Sequence, residues 1–287
     1  MRIVHLFNWK LNDIDVNKVK YQGFDSIQIS PIQPVKQDEG PWWILYQGTD
    51  FSIGNKQIGS KQDLINLCNR ANNLGIKIIV DVVLNHLASE PYNNKELHKR
   101  VPDRFRKAEY FKDKQDIGNW DNRWEVIHRS IGLPTLDTNN EEVQQMAINF
   151  LNELIDCGVG GFRFDSGKNI GLPEEGCSFW PNVLGNLKNK DLFNYAEVIF
   201  ANNNLIESYQ KYINVLTEGS SWDKDKLVTF IDSHDLHLSF QYTKNMTNDI
   251  TTREYEILRK NFKNTVFYAR PFNDLWQSEE IRRINYL

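Results

Sequence analysis

The chain has 287 residues and a formal net charge of -4, from 34 basic and 38 acidic side chains. That length can bury the core of one elaborated α/β domain or of two ordinary ones, and a mildly acidic balance with no basic, aromatic-laced stripe argues against nucleic acid as a partner. The apolar runs have strand length, so no membrane span is expected, and the widely spaced Cys68, Cys157 and Cys177 form neither a metal pattern nor a disulfide framework.

Short apolar runs alternate with helix-patterned segments, the sign of a parallel α/β architecture. The first strand is expected near 2–8, almost at Met1, and the N-terminal stretch Met1 to Trp9 lacks the longer apolar run and small-residue cleavage site of an export signal. A cytoplasmic location is therefore expected, or a secreted one if the sequence is a trimmed mature form. A helix near 13–22 and a strand near 25–30 follow, then the aromatic loop Gly40-Pro41-Trp42-Trp43-Ile44-Leu45-Tyr46-Gln47. A helix near 60–74 begins with Ser60 as cap and Asp63 three residues on. It leads to a strand near 77–84.

The segment from Leu87 to Asn140 is long, charged and aperiodic, as a functional excursion would be. Its Phe105, Tyr110, Phe111, Trp120 and Trp124 predict an ordered small subdomain. The next helix, 141–156, lines up Val143, Met146, Ala147, Phe150, Leu151 and Leu154 on one face and ends before Gly158. Strands near 159–164, 193–198, 211–216, 227–232 and 265–269 then alternate with helices near 180–189, 200–210, 251–263 and 278–285. Thr217 to Lys226 is close to the shortest parallel crossover, so the sixth helix is expected to be missing or reduced. The pattern predicts an α/β fold of the (β/α)8 TIM-barrel type. Residues 1–86 and 141–287 form the barrel, and 87–140 an insertion subdomain after strand three.

Four strand ends carry polar groups: Asp81-Val82-Val83-Leu84-Asn85-His86, Gly161-Phe162-Arg163-Phe164-Asp165, Tyr195-Ala196-Glu197 and Phe230-Ile231-Asp232-Ser233-His234-Asp235. An Asp at one strand end more often caps a helix or a turn. Four in this order are different, because barrel strands converge at their carboxyl ends. The gathered carboxylates, Arg and His imply acid/base and nucleophilic chemistry on a neutral, oxygen-rich substrate. Arg163 and Asp165, two apart, share a strand face. An exposed Trp42, Trp43 and Tyr46 would offer flat apolar faces at the same mouth, although a Trp pair is more often core.

In order and spacing these four stretches resemble the signature regions of the α-amylase family, glycoside hydrolase family 13. The likeness runs from His5-Leu6-Phe7-Asn8-Trp9 to Phe267-Tyr268-Ala269-Arg270-Pro271. The loop with Trp42, Trp43, Tyr46 and Gln47 is similar to one shared by the bacterial saccharifying and animal types, and Ser178-Phe179-Trp180-Pro181-Asn182 and Asp225-Lys226-Leu227-Val228-Thr229 resemble the bacterial branch in particular. The resemblance implies a catalytic barrel that cleaves α-1,4-glucosidic bonds with retention. Asp165 would be the nucleophile, Glu197 the acid/base and Asp235 the transition-state stabiliser. Arg163, His86, His234, Trp42, Trp43, Tyr46, Gln47 and Lys168 would bind substrate. An α-glucan is the expected partner, and the protein is expected to act as a monomer.

Three departures matter. Asn169 stands where many members have a His that binds calcium through its backbone, and Thr135 stands where an Asp ligand is common. Asn85 is the one matching metal ligand, so a calcium requirement is not expected. Ser233 replaces the Asn of the animal chloride site. No residues here resemble the family's C-terminal β-sandwich. Two other readings use the same residues: an α-glucan transglycosylase, and an inactive glucan-binding barrel.

Overall fold

Eight parallel strands close on themselves in the order of the chain. A computed structural model describes residues 1–287. Its barrel strands are β1 (Arg2–Leu6), β2 (Ser26–Ile29), β3 (Lys77–Val82), β4 (Gly161–Phe164), β5 (Tyr195–Glu197), β6 (Asn214–Leu216), β7 (Leu227–Phe230) and β8 (Asn264–Tyr268). Each pairs with the strands before and after it, and β8 returns to β1. The fold is the (β/α)8 barrel that the alternating pattern predicts.

Strand parity divides the core in two. Val4, Ile27, Val80, Phe162, Ala196, Val215 and Phe267 belong to the main core, which extends under the helices. The alternating residues Ile3, Ile79, Tyr195, Leu216, Val228 and Val266 form a separate cluster that plugs the barrel. Gly161 is required in this plug, because a Cβ there would lie 2.2 Å from the Phe193 carbonyl oxygen. Beyond the plug the same strand faces turn polar, with His5, Gln28, Asp81 and Arg163 buried. The Tyr195 hydroxyl, donating to Gln28 Oε1 at 2.7 Å, marks the change.

The outer helices are Val16–Tyr21, Lys61–Asn72, Glu141–Asp156, Phe179–Gly185, Asn203–Gln210, Asn248–Asn261 and Glu279–Asn285. Ser60 and Asp63 form the expected capping box, and Gly158 takes φ +95° just past the third helix. Three helices begin three residues away from their predicted starts, because side-chain caps decide the start. Asn202 accepts from the Leu205 N–H, so the fifth starts at Asn203 rather than near residue 200. Asp15 accepts from the Lys18 N–H, so the first starts at Val16. Thr247 accepts from the Ile250 N–H and starts the sixth at Asn248, three residues earlier than its apolar pattern suggests. Between β6 and β7 only a 3-10 turn, Lys224–Lys226, remains of the missing barrel helix.

The excursion after β3 carries two short strand pairs, Ser89–Glu90 with Asn93–Leu97 and Asp113–Asp116 with Arg129–Ser130, and a helix at Arg123–His128. Phe105 and Tyr110 are buried there. The two tryptophans are not core: Trp120 is 52% and Trp124 54% exposed. Trp124 stacks on His128 (4.9 Å between centroids), and the Lys168 ammonium lies 5.5 Å from the Trp120 ring.

Candidate active site

The polar layer is organised by one buried cation. Arg163 is 1% exposed, and on β4 it sits opposite Asp81 of β3. Its Nη1 donates to both Asp81 oxygens, at 2.8 and 3.0 Å, and to Asp165 Oδ1 at 2.8 Å. Its Nη2 donates to Glu197 Oε1. The backbone then turns at Ser166, in the left-handed region at φ +50°. That turn aims the Ser166 N–H at Glu197 Oε2 (3.0 Å) and its hydroxyl at Asp165 Oδ2 (3.1 Å). The Asp165 and Glu197 carboxyls expected from the strand ends therefore hang from the same guanidinium and the same serine.

Four carboxyls, Asp81, Asp165, Glu197 and Asp235, surround a single guanidinium. Low-dielectric surroundings cannot hold all four charges against one. Burial, helped by the Asp165 and Asp235 charges, pushes the Glu197 carboxyl up to about 7, outweighing Arg163. Burial raises Asp81 to about 7 and Asp235 to about 6, with the Asp165 charge acting in the same direction. The histidines lose their charge for the same reason. Burial drives His5 down to about 3, with Arg163 adding to it, and takes His234 well below the usual range. It lowers His86 against the pull of Asp165.

Neutral imidazoles have one donor and one acceptor. His86 Nε2 lies 2.9 Å from the Tyr46 carbonyl oxygen, which fixes its proton there and leaves the buried Nδ1 as a partnerless acceptor. His234 Nε2 lies 3.3 Å from Asp235 Oδ2, and its Nδ1 is partnerless too. A hydroxyl-rich ligand would supply the missing donors.

The aromatic loop is a 3-10 turn, Trp42–Tyr46. Tyr46 stacks on His234 (5.1 Å, 4°), and its hydroxyl donates to Asp81 Oδ2 at 2.8 Å. Trp42 is partly buried, edge-on to His234 at 5.7 Å. Trp43 is 42% exposed, with Lys36 5.2 Å from its ring. Gln47 is turned to the insertion, where its Oε1 accepts from the Ser89 N–H at 3.4 Å. Lys168 reaches over the opposite side, its ammonium 3.4 Å from the Phe200 carbonyl oxygen. It lines an open cleft with Trp120, Phe200 and Leu205.

Strand-end reasoning misses two residues of this site. Asp81 is one, although a lone acid inside the apolar run Ile78-Ile79-Val80-Asp81-Val82-Val83 demands a buried partner. Ser166 is the other, and its left-handed backbone has no signature in the residue type.

The metal positions suggested by resemblance do not assemble a calcium site. The Thr135 hydroxyl donates to Leu133 O at 2.8 Å and accepts from the Ile131 N–H at 3.1 Å, both within the insertion. The Asn85 Oδ1 and Asn169 carbonyl oxygens face the Lys112 ammonium instead, at 3.5 and 2.7 Å. Calcium asks for six to eight oxygens with carboxylates among them, and an ammonium at the centre of the site repels it.

Residues 15–276 match the family model described as alpha amylase, catalytic domain. An alpha-amylase of Clostridium acetobutylicum is 34% identical over 285 residues, covering 87% of this chain and 36% of its own length. An alpha-amylase of Butyrivibrio fibrisolvens is 26% identical, covering 94% and 35%. The chain thus spans about a third of the length of these curated relatives. Among solved structures, the Malbranchea cinnamomea alpha-amylase superposes with TM-score 0.78 at 19% identity, over 99% of this chain and 76% of that one. The Geobacillus thermoleovorans alpha-amylase, complexed with acarbose, gives 0.76 at 18%, over 99% and 77%. An Eisenia fetida alpha-amylase I variant, complexed with maltohexaose, gives 0.74 at 22%, over 95% and 67%.

Proposed function

Since the chain belongs to the alpha-amylase family and matches its catalytic domain, we propose that it is a retaining glycoside hydrolase that cleaves internal α-1,4-glucosidic bonds of starch, glycogen or maltooligosaccharides. The observation that carries this reading is the pairing of Asp165 and Glu197 on one guanidinium, with the Glu197 carboxyl raised by burial to about 7. Retaining hydrolysis needs one ionised carboxylate and one carboxylic acid close together.

In the first step Glu197 gives its proton to the glycosidic oxygen while Asp165 attacks the anomeric carbon. The C–O bond to the leaving sugar breaks, and that sugar departs as an alcohol. In the second step the Glu197 carboxylate takes a proton from water, and the resulting hydroxide displaces Asp165 from the sugar. Asp235 and the free Nδ1 atoms of His86 and His234 would engage sugar hydroxyls. Trp42 and Trp43 would offer apolar ring faces beside them, and Lys168 would meet the leaving side. The acarbose and maltohexaose bound by two structural relatives support an α-glucan as ligand.

The test is a time course of products from a chromogenic maltooligosaccharide, with the Asp165→Asn and Glu197→Gln variants alongside. Shorter sugars from the wild type, and loss of several orders of magnitude in kcat in both variants, are expected. Products longer than the substrate would make the enzyme a transglycosylase, and no turnover would make it a glucan-binding barrel.

A further inference from the structure

Three consecutive carbonyl oxygens in the loop after β4 meet cations that come from the insertion. Lys112 Nζ donates to the Asn169 oxygen at 2.7 Å. The Arg123 guanidinium donates to the Lys168 oxygen and, at 3.5 Å, to the Ile170 oxygen. The two cations differ in their surroundings. Arg123 is paired with Glu175, at 2.7 Å through both Nε and Nη2. Lys112 has no carboxylate in hydrogen-bond reach: its ammonium donates to the Asn169 oxygen and Asn85 Oδ1.

Lys112 is delivered to that place by the backbone. Its N–H donates to the Thr135 oxygen at 2.9 Å, and the next residue of that segment, Leu136, donates its N–H to the Asn85 oxygen at 2.8 Å. The side chain therefore leaves the insertion at its seam with the end of β3 and reaches the loop after β4. That loop is the one whose Ser166 donates to both Asp165 and Glu197.

We propose that Lys112 is a built-in cation, which fills the seam where the Asn85 and Asn169 oxygens converge, bridges the insertion to the barrel as a bound metal ion would, and positions the loop carrying Asp165 and Ser166. A tethered ammonium cannot diffuse away as a bound metal ion can, so the bridge does not depend on a free metal-ion concentration; burial lowers its pKa to about 8, and the charge is lost above that pH. It also donates to two neutral oxygens without needing the carboxylates that a divalent ion demands. Lys112 touches no reacting atom and acts through the loop.

The experiment compares the wild type with Lys112→Met and with Lys114→Met, a control at an exposed neighbour. Melting is followed in EDTA and in millimolar calcium, and amide exchange is followed over residues 166–170. The wild type should melt at the same temperature in both solutions. Lys112→Met should melt several degrees lower and exchange about tenfold faster in the loop, and Lys114→Met should do neither. Well below either melting temperature, Lys112→Met should lose about tenfold in kcat with KM for a maltooligosaccharide changed less than about twofold. The kinetic arm rests on the proposed hydrolysis, whereas melting and exchange need no turnover, so the two readings fail separately. A wild-type melting temperature that falls in EDTA and returns with calcium would overturn the proposal. So would a Lys112→Met loop that exchanges like the wild type, or a loosened loop with unchanged kcat. If Lys112→Met does not fold, the wild-type chelation arm decides alone.

Discussion

Asp81 and Arg163 stand opposite each other on neighbouring strands, and both oxygens of the acid accept from one nitrogen of the base, at 2.8 and 3.0 Å. Both are buried, at 0% and 1% exposure. The pair lies directly under the site, so the guanidinium that holds Asp165 and Glu197 is anchored from below. Tyr46 binds the same acid through its hydroxyl, which fixes the ring that lies over His234. One buried carboxylate thus places both the carboxyls and an aromatic face of the site.

Removing that anchor should be costly. Asp81→Ala leaves the Tyr46 hydroxyl without its acceptor and the guanidinium without its lower partner. Losing one member of a buried pair costs about 3–5 kcal/mol, or a melting temperature lower by about 5–10 °C in a protein of this size. Asp81→Asn, which keeps an acceptor oxygen, should fall much less. Calorimetry on the two variants checks this, and an Asp81→Ala melting temperature equal to wild type would show that the pair supports nothing.

The raised Glu197 carboxyl predicts a stability slope with pH. Its folded value, about 7, lies above the ordinary 4.5. The folded state therefore binds the proton more tightly than the unfolded state. The associated stability is complete below about 4.5 and is lost as pH rises through about 7, by up to about 3 kcal/mol. Glu197→Gln cannot ionise and removes this contribution, while those of Asp81 and Asp235 remain. The drop in melting temperature from pH 5 to pH 8 should be several degrees smaller in the variant. Equal drops would mean that Glu197 ionises as it does in water.

On the proposed mechanism the same group sets the alkaline limb of activity. In the proposed reaction Glu197 must carry a proton to release the leaving sugar, so kcat/KM should decline above about pH 7. The apparent value belongs to the coupled carboxyls as a set. A profile that stays flat to pH 9, with chemistry rate-limiting, would remove Glu197 from the acid role.

Trp42 and Trp43 should separate affinity from stability. Trp43 is 42% exposed and rests against Lys36, so Trp43→Ala should lower the melting temperature little. If its face meets sugar, oligosaccharide affinity should weaken by about 1–3 kcal/mol. Trp42 is wedged against Phe7 and His234, at 6.0 and 5.7 Å, and its truncation should disturb both quantities. Titration calorimetry and melting curves on the two variants distinguish these outcomes.

Much of the fold is legible in the sequence because strand parity and helix periodicity are local signals. The run Gly161-Phe162-Arg163-Phe164-Asp165 displays its inward pair directly. Helix starts at Asp15 and Thr247 are less visible, since a cap acts through one side-chain bond rather than through a repeating pattern. The role of Asp81 depends on register between β3 and β4, a relation across residues far apart in the chain. Lys112 and the exposed Trp120 and Trp124 lie in the aperiodic insertion. There, burial follows from tertiary contact alone, and residue type says little about which side chain reaches the barrel.

The central claim is that Asp165 and Glu197 act as a retaining pair on an α-1,4-glucan. Proton NMR of the first sugars released from a maltooligosaccharide tests it most directly, before mutarotation mixes the anomers. The double displacement predicts that the α-anomer appears first and the β-anomer only later. Initial release of the β-anomer would mean a single displacement by water, and would contradict the assignment of Asp165 as nucleophile.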